Sequence, residues 1–390
     1  MFINLQELEN RSILLFGKPR AFSNEEFLSQ MKYHKIEVLK EYSDDILLLV
    51  DGKMMTPSEQ NLSDELYESK KLNAISIDIL ERELASSMDS NTLLMSLKLS
   101  GDKERLKSFI QNSMIPDELF FRLIKMYSWA KEDFFENDDN RDVSAAFISR
   151  FYENIERNHN VQYATTGFIH LVSQVKTPEL LAAIYELEPM AFHPKIKMAI
   201  AMSIYIDESM QERFFKTQKR ELLEALSFNK KLKLSLVKEL MKEQEFCENI
   251  AKTVELNNEL FLLLKSDTVS LAKNETLDLK MQEELLSLES DAVSLSLSQN
   301  NSLDISIVET LLKDENEAIQ KALHQNSATP SRVLDLAYKN DLFHLELAKN
   351  EATPVEILYQ LQLDSRYERA VKTNAAFGKH IQSENIGWLV

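Results

Sequence analysis

The chain of 390 residues contains only 6 glycines, 8 prolines and 1 cysteine. Average usage would supply about 27 glycines and about 20 prolines. A chain this poor in both cannot consist mainly of turns, which argues against large β-sandwich and barrel folds. It argues equally against a Gly-rich nucleotide-binding core running through the whole length. Cys247 alone cannot build a disulfide framework, a cysteine-rich zinc site or a protein-bound iron–sulfur cluster. Gly-x-Gly-x-x-Gly, the Walker loop and Gly-x-Ser-x-Gly are all missing. No apolar run approaches the ~18 residues of a membrane-spanning helix. Glu7 and Glu9 stand where a signal peptide carries positive charge. The expectation is a cytoplasmic protein that makes no membrane contact and holds no cofactor and no metal.

What is present supports a core: 44% of the residues are hydrophobic. The net charge is -18, a balance unsuited to non-specific binding of nucleic acid or anionic membrane. The acidity is uneven, at about -6 over residues 1–100, about -3 over 101–250 and about -9 over 251–390. The seven histidines, at 34, 159, 170, 193, 324, 344 and 380, show no His-x-x-x-His spacing and read as ordinary core or surface residues. Cys247 lies among glutamates that would raise its pKa, so it reads as a packing residue. Asp133, Glu136, Asp138, Asp139 and Asp142 form an acidic segment without the Gly and terminal Glu of a calcium loop.

The first eighty-eight residues alternate short apolar runs with helical patterns. Strands are expected at 13–17, 36–39, 45–50 and 74–77. The 45–50 run, apolar throughout, should be central. Ser23 with Glu26 is a capping box for a helix through Phe27 and Met31. A second helix is expected from Ser63 to Leu72, and a third from Ile79 to Ser86 capped by Asp78. The order β-α-β-β-α-β-α, and above all the stretch Ser63-Asp64-Glu65-Leu66-Tyr67-Glu68-Ser69-Lys70-Lys71-Leu72-Asn73-Ala74-Ile75-Ser76-Ile77-Asp78-Ile79-Leu80, resembles a BRCT domain. The resemblance implies a small α/β module over 1–88 of the kind found in genome-maintenance proteins. Phe16 and Asp64 or Glu65 replace the residues with which phosphopeptide-binding members hold phosphate, and a carboxylate there repels an anion.

The remainder, 89–390, repeats. Gln325-Asn326-Ser327-Ala328-Thr329-Pro330 matches Lys349-Asn350-Glu351-Ala352-Thr353-Pro354 and Gln111-Asn112-Ser113-Met114-Ile115-Pro116, with weaker copies at Gln174, Asn229, Asn257, Asn274, Asn300 and Asn374. From 274 onward the asparagines stand at 274, 300, 326, 350 and 374. Asn tolerates the left-handed conformation that ends a helix, Thr can cap the next one, and Pro suits its first turn. Thr353 with Glu356 reads as a capping box. A unit of about 25 residues cannot bury its apolar face alone, so neighbours must stack. The fold class is therefore mainly α: a right-handed α-solenoid of two-helix repeats after the small α/β domain. It should be most regular from 250 to 390, with an irregular insertion near 128–165 that holds an acidic loop and a helix at 143–157. The pattern Ala-x-x-Asn-x-x-Thr-Pro-x-x-Ile-Leu resembles the leucine-rich repeat variant, a short repeat related in layout to HEAT-like repeats.

Arg213, Lys216, Lys219, Arg220, Lys230, Lys231, Lys233, Lys238 and Lys242 concentrate positive charge in the otherwise acidic chain. The spacing of Arg213, Lys216 and Arg220 would place them on one helix face. They are candidates for contacting an acidic partner, the alternative being a solvated face. Lys18 and Arg20 are a weaker candidate anion contact, or a solvated loop. The apolar end Ile386-Gly387-Trp388-Leu389-Val390 either caps the last repeat or inserts into a partner. The expected function is a non-enzymatic scaffold that binds a protein or peptide along the concave surface, with the N-terminal domain as a second contact. The alternatives are a nucleic-acid-associated protein using 213–242 and, more remotely, a HEAT-like DNA glycosylase.

Overall fold

A computed structural model describes residues 4–68, 72–153 and 161–384. Ser69-Lys70-Lys71 of the BRCT-like stretch and the apolar residues 386–390 therefore lie outside the described residues. The chain is mainly helical, with a four-stranded parallel sheet near the N-terminus. It divides into two compact units, residues 1–200 and 201–390. Among the described residues no helix is long and apolar enough to cross a membrane.

In residues 1–200 the strands β1 (Ser12–Phe16), β2 (Glu37–Leu39), β3 (Ile46–Asp51) and β4 (Asn73–Ser76) lie in the order β2-β1-β3-β4. All three pairings are parallel, with Ile13 opposite both Val38 and Leu48, and Val50 opposite Ile75. β1 and β3 are central. Their Ile13, Leu14, Leu49 and Val50 side chains are completely buried, as a sheet covered on both faces requires. Ser23 caps the helix Asn24–Tyr33 by accepting the Glu26 N–H at 3.2 Å, as its spacing predicts. Two other helix starts differ from expectation. The helix expected to open at Ser63 runs from Pro57 to Glu68. Thr56 and Glu59 form its reciprocal capping box, with Glu59 N–H on Thr56 Oγ1 at 3.2 Å and Thr56 N–H on Glu59 Oε2 at 2.7 Å. Ser63 is buried mid-helix and donates to Asp51 Oδ1 at 2.8 Å. The helix expected from Ile79 begins at Ile77, and its cap is Ser76 rather than Asp78. In both cases an earlier hydroxyl reaches the orphan N–H groups first.

Gly101 is the one glycine that ends a helix here in the left-handed conformation: at φ 63° it closes Ser90–Ser100, its N–H on Leu97 O at 3.1 Å. The expected acidic loop gives way to helix earlier than predicted, because Asn137 caps Asp138–Phe151 by accepting the Asn140 N–H at 2.8 Å. Phe134, inside that acidic stretch, is completely buried with Phe120, Phe147 and Phe168. Phe134 and Phe168 stack at 4.3 Å between ring centroids.

Residues 201–390 consist of helix pairs. The first helices are Arg220–Ser227, Gln244–Thr253, Thr268–Leu271, Asp291–Ser298, Glu317–Gln325, His344–Lys349 and Glu368–Lys372. The second helices are Leu234–Leu240, Asn258–Leu264, Leu279–Leu286, Ile305–Leu311, Ser331–Lys339, Val355–Gln362 and Ala375–Ser383. Each first helix packs against the first helix of the next pair. Buried alanines at 251, 272 and 348 lie on this row and permit close approach.

Candidate interaction surface

The asparagines that mark the repeat define its geometry, by a means other than the one expected. Asn326, Asn350 and Asn374 have extended backbones, with φ -83°, -77° and -71°. Asn229, Asn274 and Asn300 are likewise absent from the left-handed region. All six side chains are buried. Each Nδ2 donates to two main-chain carbonyls of the preceding pair. Asn300 bonds Ala272 O at 3.0 Å and Asn274 O at 2.8 Å, and Asn326 bonds Ser298 O and Asn300 O, both at 2.8 Å. Asn350 bonds His324 O at 3.0 Å and Asn326 O at 2.8 Å, and Asn374 bonds Ala348 O at 3.2 Å and Asn350 O at 3.0 Å. Asn229 and Asn274 do the same with Ala201 and Ser203, and with Ala251 and Val254. Each Oδ1 then accepts a main-chain N–H two or three residues ahead, which turns the chain without a left-handed residue. The result is an asparagine ladder that ties every pair to the one before it except Gln244–Thr253 with Asn258–Leu264.

The flanking motif residues also differ from expectation. Thr329 and Thr353 are buried and donate backward, to Leu323 O at 2.6 Å and Leu347 O at 2.8 Å. The helices after them start behind Pro330 and Pro354 with no side-chain cap, so the expected Thr353–Glu356 capping box does not form. Leu232, Leu277, Leu303 and Phe377 occupy the same place, three residues after the ladder asparagine, and are buried too. The site demands burial, and threonine meets it only by giving its hydroxyl a carbonyl. Asn257 is not a rung; it caps Asn258–Leu264 through the Leu260 N–H at 2.9 Å. Asn112 keeps the local half of the motif, accepting the Met114 N–H at 2.8 Å, but its buried Nδ2 has no partner. Gln174 instead accepts the Glu153 N–H at 3.1 Å.

A second clip was not legible in the sequence. The buried Gln211 donates to Lys231 O and accepts from Lys233 N, both at 2.9 Å. The buried Gln282 repeats this with Ser302 O at 3.1 Å and Asp304 N at 2.9 Å, at identical sequence offsets. Two copies among the 16 glutamines of the chain give no recognisable signal.

The basic segment is divided between elements. Arg213 and Lys216 lie on Glu208–Lys216, which stops there, with Gln218 left-handed at φ 52°. Lys219 and Arg220 open the next helix, so Arg213, Lys216 and Arg220 do not share one helix face. Arg220 pairs with Glu245, and Lys233 with Glu208 at 2.8 Å and Glu212 at 3.0 Å. Lys238 pairs with Glu259 at 3.2 Å and Lys242 with Glu239 at 2.5 Å. Lys216, Lys219, Lys230 and Lys231 are exposed and form no ion pair among the described residues.

At the weaker candidate contact the protein supplies its own anion. Glu81 is buried, and its Oε1 accepts the N–H groups of Arg20, Ala21 and Phe22 at 3.0, 3.0 and 3.1 Å. Arg20 Nη1 holds Asp78 Oδ2 at 2.9 Å. Lys18 is exposed and its main chain pairs with Lys53. Burial raises the Glu81 carboxyl above its ordinary value, against the pull of the three N–H donors.

Other titratable groups are held in fixed roles. Burial raises the Cys247 thiol, assisted by Asp267. Among the acidic residues, Asp133 bonds His193, Asp138 pairs with Arg141 at 2.9 Å, and Asp139 pairs with Lys107. No group of three or more His, Cys, Asp or Glu among the described residues could hold a metal. A cavity of about 670 Å³ is lined by Lys103, Lys107, Tyr127, Asp139 and Asn140, among others. Tyr127 donates to Asn140 Oδ1 at 2.9 Å, and burial, with the Asp139 carboxylate, pushes its phenol up to about 12. It is a hydrogen-bond donor at neutral pH, and Lys107 beside it is held charged by Asp139.

His324 is buried with Nδ1 on Gln320 O at 2.7 Å and its ring stacked on Phe343 at 4.3 Å. Burial lowers its pKa below the ordinary 6.5, against the weaker pull of the Gln320 carbonyl and Glu346. A depressed pKa means the unfolded chain binds the proton more readily. This group's contribution is therefore complete above about 6.5 and is lost as pH falls through the lower folded value. Urea midpoints of the wild type and His324→Gln are expected to converge between about pH 7 and pH 5. Parallel pH profiles would remove the assignment.

Searches against family models, curated proteins and solved structures find no match to this chain.

Proposed function

We propose that this protein is a non-enzymatic interaction scaffold of the cytoplasm. In this reading the helix pairs form an α-solenoid resembling leucine-rich repeat variant and HEAT-like repeats, whose concave surface binds a protein or peptide. The α/β region resembling BRCT serves as a second contact module. The observation that carries the reading is the asparagine ladder. Rungs at Asn229 and from Asn274 to Asn374 hold neighbouring pairs at repeated offsets, and a row of rigid, similar units offers side chains at regular intervals to an extended partner. The β-α-β-β-α-β-α order of residues 12–87 supports the second module.

The test is affinity capture on the full chain with chemical crosslinking. A captured protein crosslinked within 201–390 is expected. The scaffold reading is overturned if nothing is captured above an empty matrix. It is also overturned if only nucleic acid is held and is released between about 50 and 200 mM salt, the behaviour of phosphate contacts. The exposed Lys216, Lys219, Lys230 and Lys231 would then carry the nucleic-acid reading.

A further inference from the structure

The ladder aligns the C-terminal ends of the first helices, which places their N-terminal ends side by side along the opposite edge. Over the last five pairs that edge carries the connectors from each second helix to the next first helix, at 287–290, 312–316, 340–343 and 363–367. The connector 363–367 reaches the start of the neighbouring first helix, where Tyr367 meets His344 edge-on at 5.6 Å.

Three of the four connectors hold a leucine out in water. Leu288 is 51% exposed, Leu342 49% and Leu363 82%. Connectors normally use small or polar residues, so a line of exposed leucines marks a contact face. Backbone strain accompanies it, since Glu289, Asp341 and Phe343 are left-handed at φ 49°, 60° and 54°. Such conformations cost a side-chain-bearing residue about 1 kcal/mol each. The charge on the edge is acidic. The connectors carry Glu289, Asp314, Glu315, Asp341 and Asp364 against Lys313 and Arg366, and Arg366 is already tied to Asp364 at 2.6 Å.

We propose that this edge docks a basic amphipathic helix of a partner protein, its apolar face on Leu288, Leu342 and Leu363 and its Lys or Arg residues on the flanking acids. The inference rests on the scaffold reading and names the chemistry of the partner. Packed helices lie about 8–10 Å apart, so the four connectors span roughly 30 Å. That is the length of about 20 helical residues, with two turns per connector and an apolar residue recurring about every seventh position. An extended strand would cover each step in about three residues and turn alternate side chains away. A second copy of this chain would bring a like-charged edge.

The probe is a fluorescein-labelled 21-residue Leu/Lys peptide with heptad-spaced leucines, compared by anisotropy with a scrambled peptide of the same composition. The full chain is expected to bind the heptad peptide at least about tenfold more tightly than the scrambled one. Leu342→Ser and Leu363→Ser should each remove about tenfold, and Glu315→Lys with Asp341→Lys should also flatten the salt dependence. Urea midpoints of these variants report that the fold is intact. Equal binding of the two peptides, or binding indifferent to the leucine substitutions, overturns the proposal. So does sedimentation showing that the leucines govern self-association instead. If the peptide fails while the full chain still captures and crosslinks a protein elsewhere on 201–390, this inference falls and the scaffold reading stands.

Discussion

Asn326→Asp is expected to destabilise residues 201–390 by about 4 kcal/mol, and Asn326→Ala by about 2–3 kcal/mol. The asparagine side chain donates to Ser298 O and Asn300 O and accepts from Ala328 N, all at 2.8 Å, in a place closed to water. Alanine takes this partner from Ser298 O and from the Ala328 N–H, and leaves Asn300 O with only the Leu303 N–H at 3.3 Å. Aspartate keeps the shape and the accepting oxygen but turns a second, charged oxygen onto the two carbonyls. Its carboxyl should therefore titrate well above the unfolded value of about 3.9. A raised folded pKa means that the variant's deficit is smallest below about pH 4 and grows as pH rises through the folded value. The measurements are urea denaturation of both variants at several pH values, and hydrogen exchange along the chain. Because each pair contacts mainly its neighbours, the loss of protection should centre on 298–350 and weaken outward. A uniform loss over 201–390, or a deficit for aspartate no larger than for alanine, would contradict this account of the ladder.

Glu81→Ala is the matching experiment in residues 1–200. The carboxylate lies fully buried and satisfies the main-chain N–H groups of Arg20, Ala21 and Phe22, at the turn that leaves β1. Without it three N–H groups lose their acceptor, that of Phe22 fully buried and those of Arg20 and Ala21 partly so, a cost of about 3–5 kcal/mol. In a unit of this size that lowers the melting temperature by roughly 10 °C. Glu81→Gln keeps one acceptor oxygen but sets an amide against the Ala21 N–H, which also donates to Oε2 at 3.0 Å. About 1–2 kcal/mol is expected for it. Thermal unfolding followed by hydrogen exchange over β1 and β3 separates the two. If Glu81→Ala melts within about 2 °C of the wild type, the turn does not depend on this carboxylate.

The difference between what could be read and what could not follows the range of each interaction. Ser23 with Glu26 was legible because a capping box is complete within four residues. Thr56 with Glu59 is equally local, yet Ser63 followed by Asp64 and Glu65 offers a second capping pattern within the same helix. Ser63 looks like a cap in sequence and is a core residue in fact, because Asp51 on the adjacent strand accepts its hydroxyl. Among the basic residues, the partners Glu245, Glu208, Glu212 and Glu259 of Arg220, Lys233 and Lys238 stand 21 to 25 residues away along the chain. A charge run therefore resembles an open cationic face until neighbouring pairs are brought alongside.

By itself, the sequence determined the kinds of element and their rhythm: apolar runs for the strands near the N-terminus, helical periodicity afterwards, and an asparagine returning at 274, 300, 326, 350 and 374. Those properties are written in residues a few positions apart. Tertiary structure decided what the recurring residue does. An asparagine followed by a helix is compatible with a left-handed stop, an N-cap or a buried clip, and all three leave the same local pattern. Only when the preceding pair presents two carbonyls, each with room for a further donor, does the buried amide have one satisfied arrangement. The carbonyls that select it lie up to 28 residues upstream, beyond the reach of any local reading.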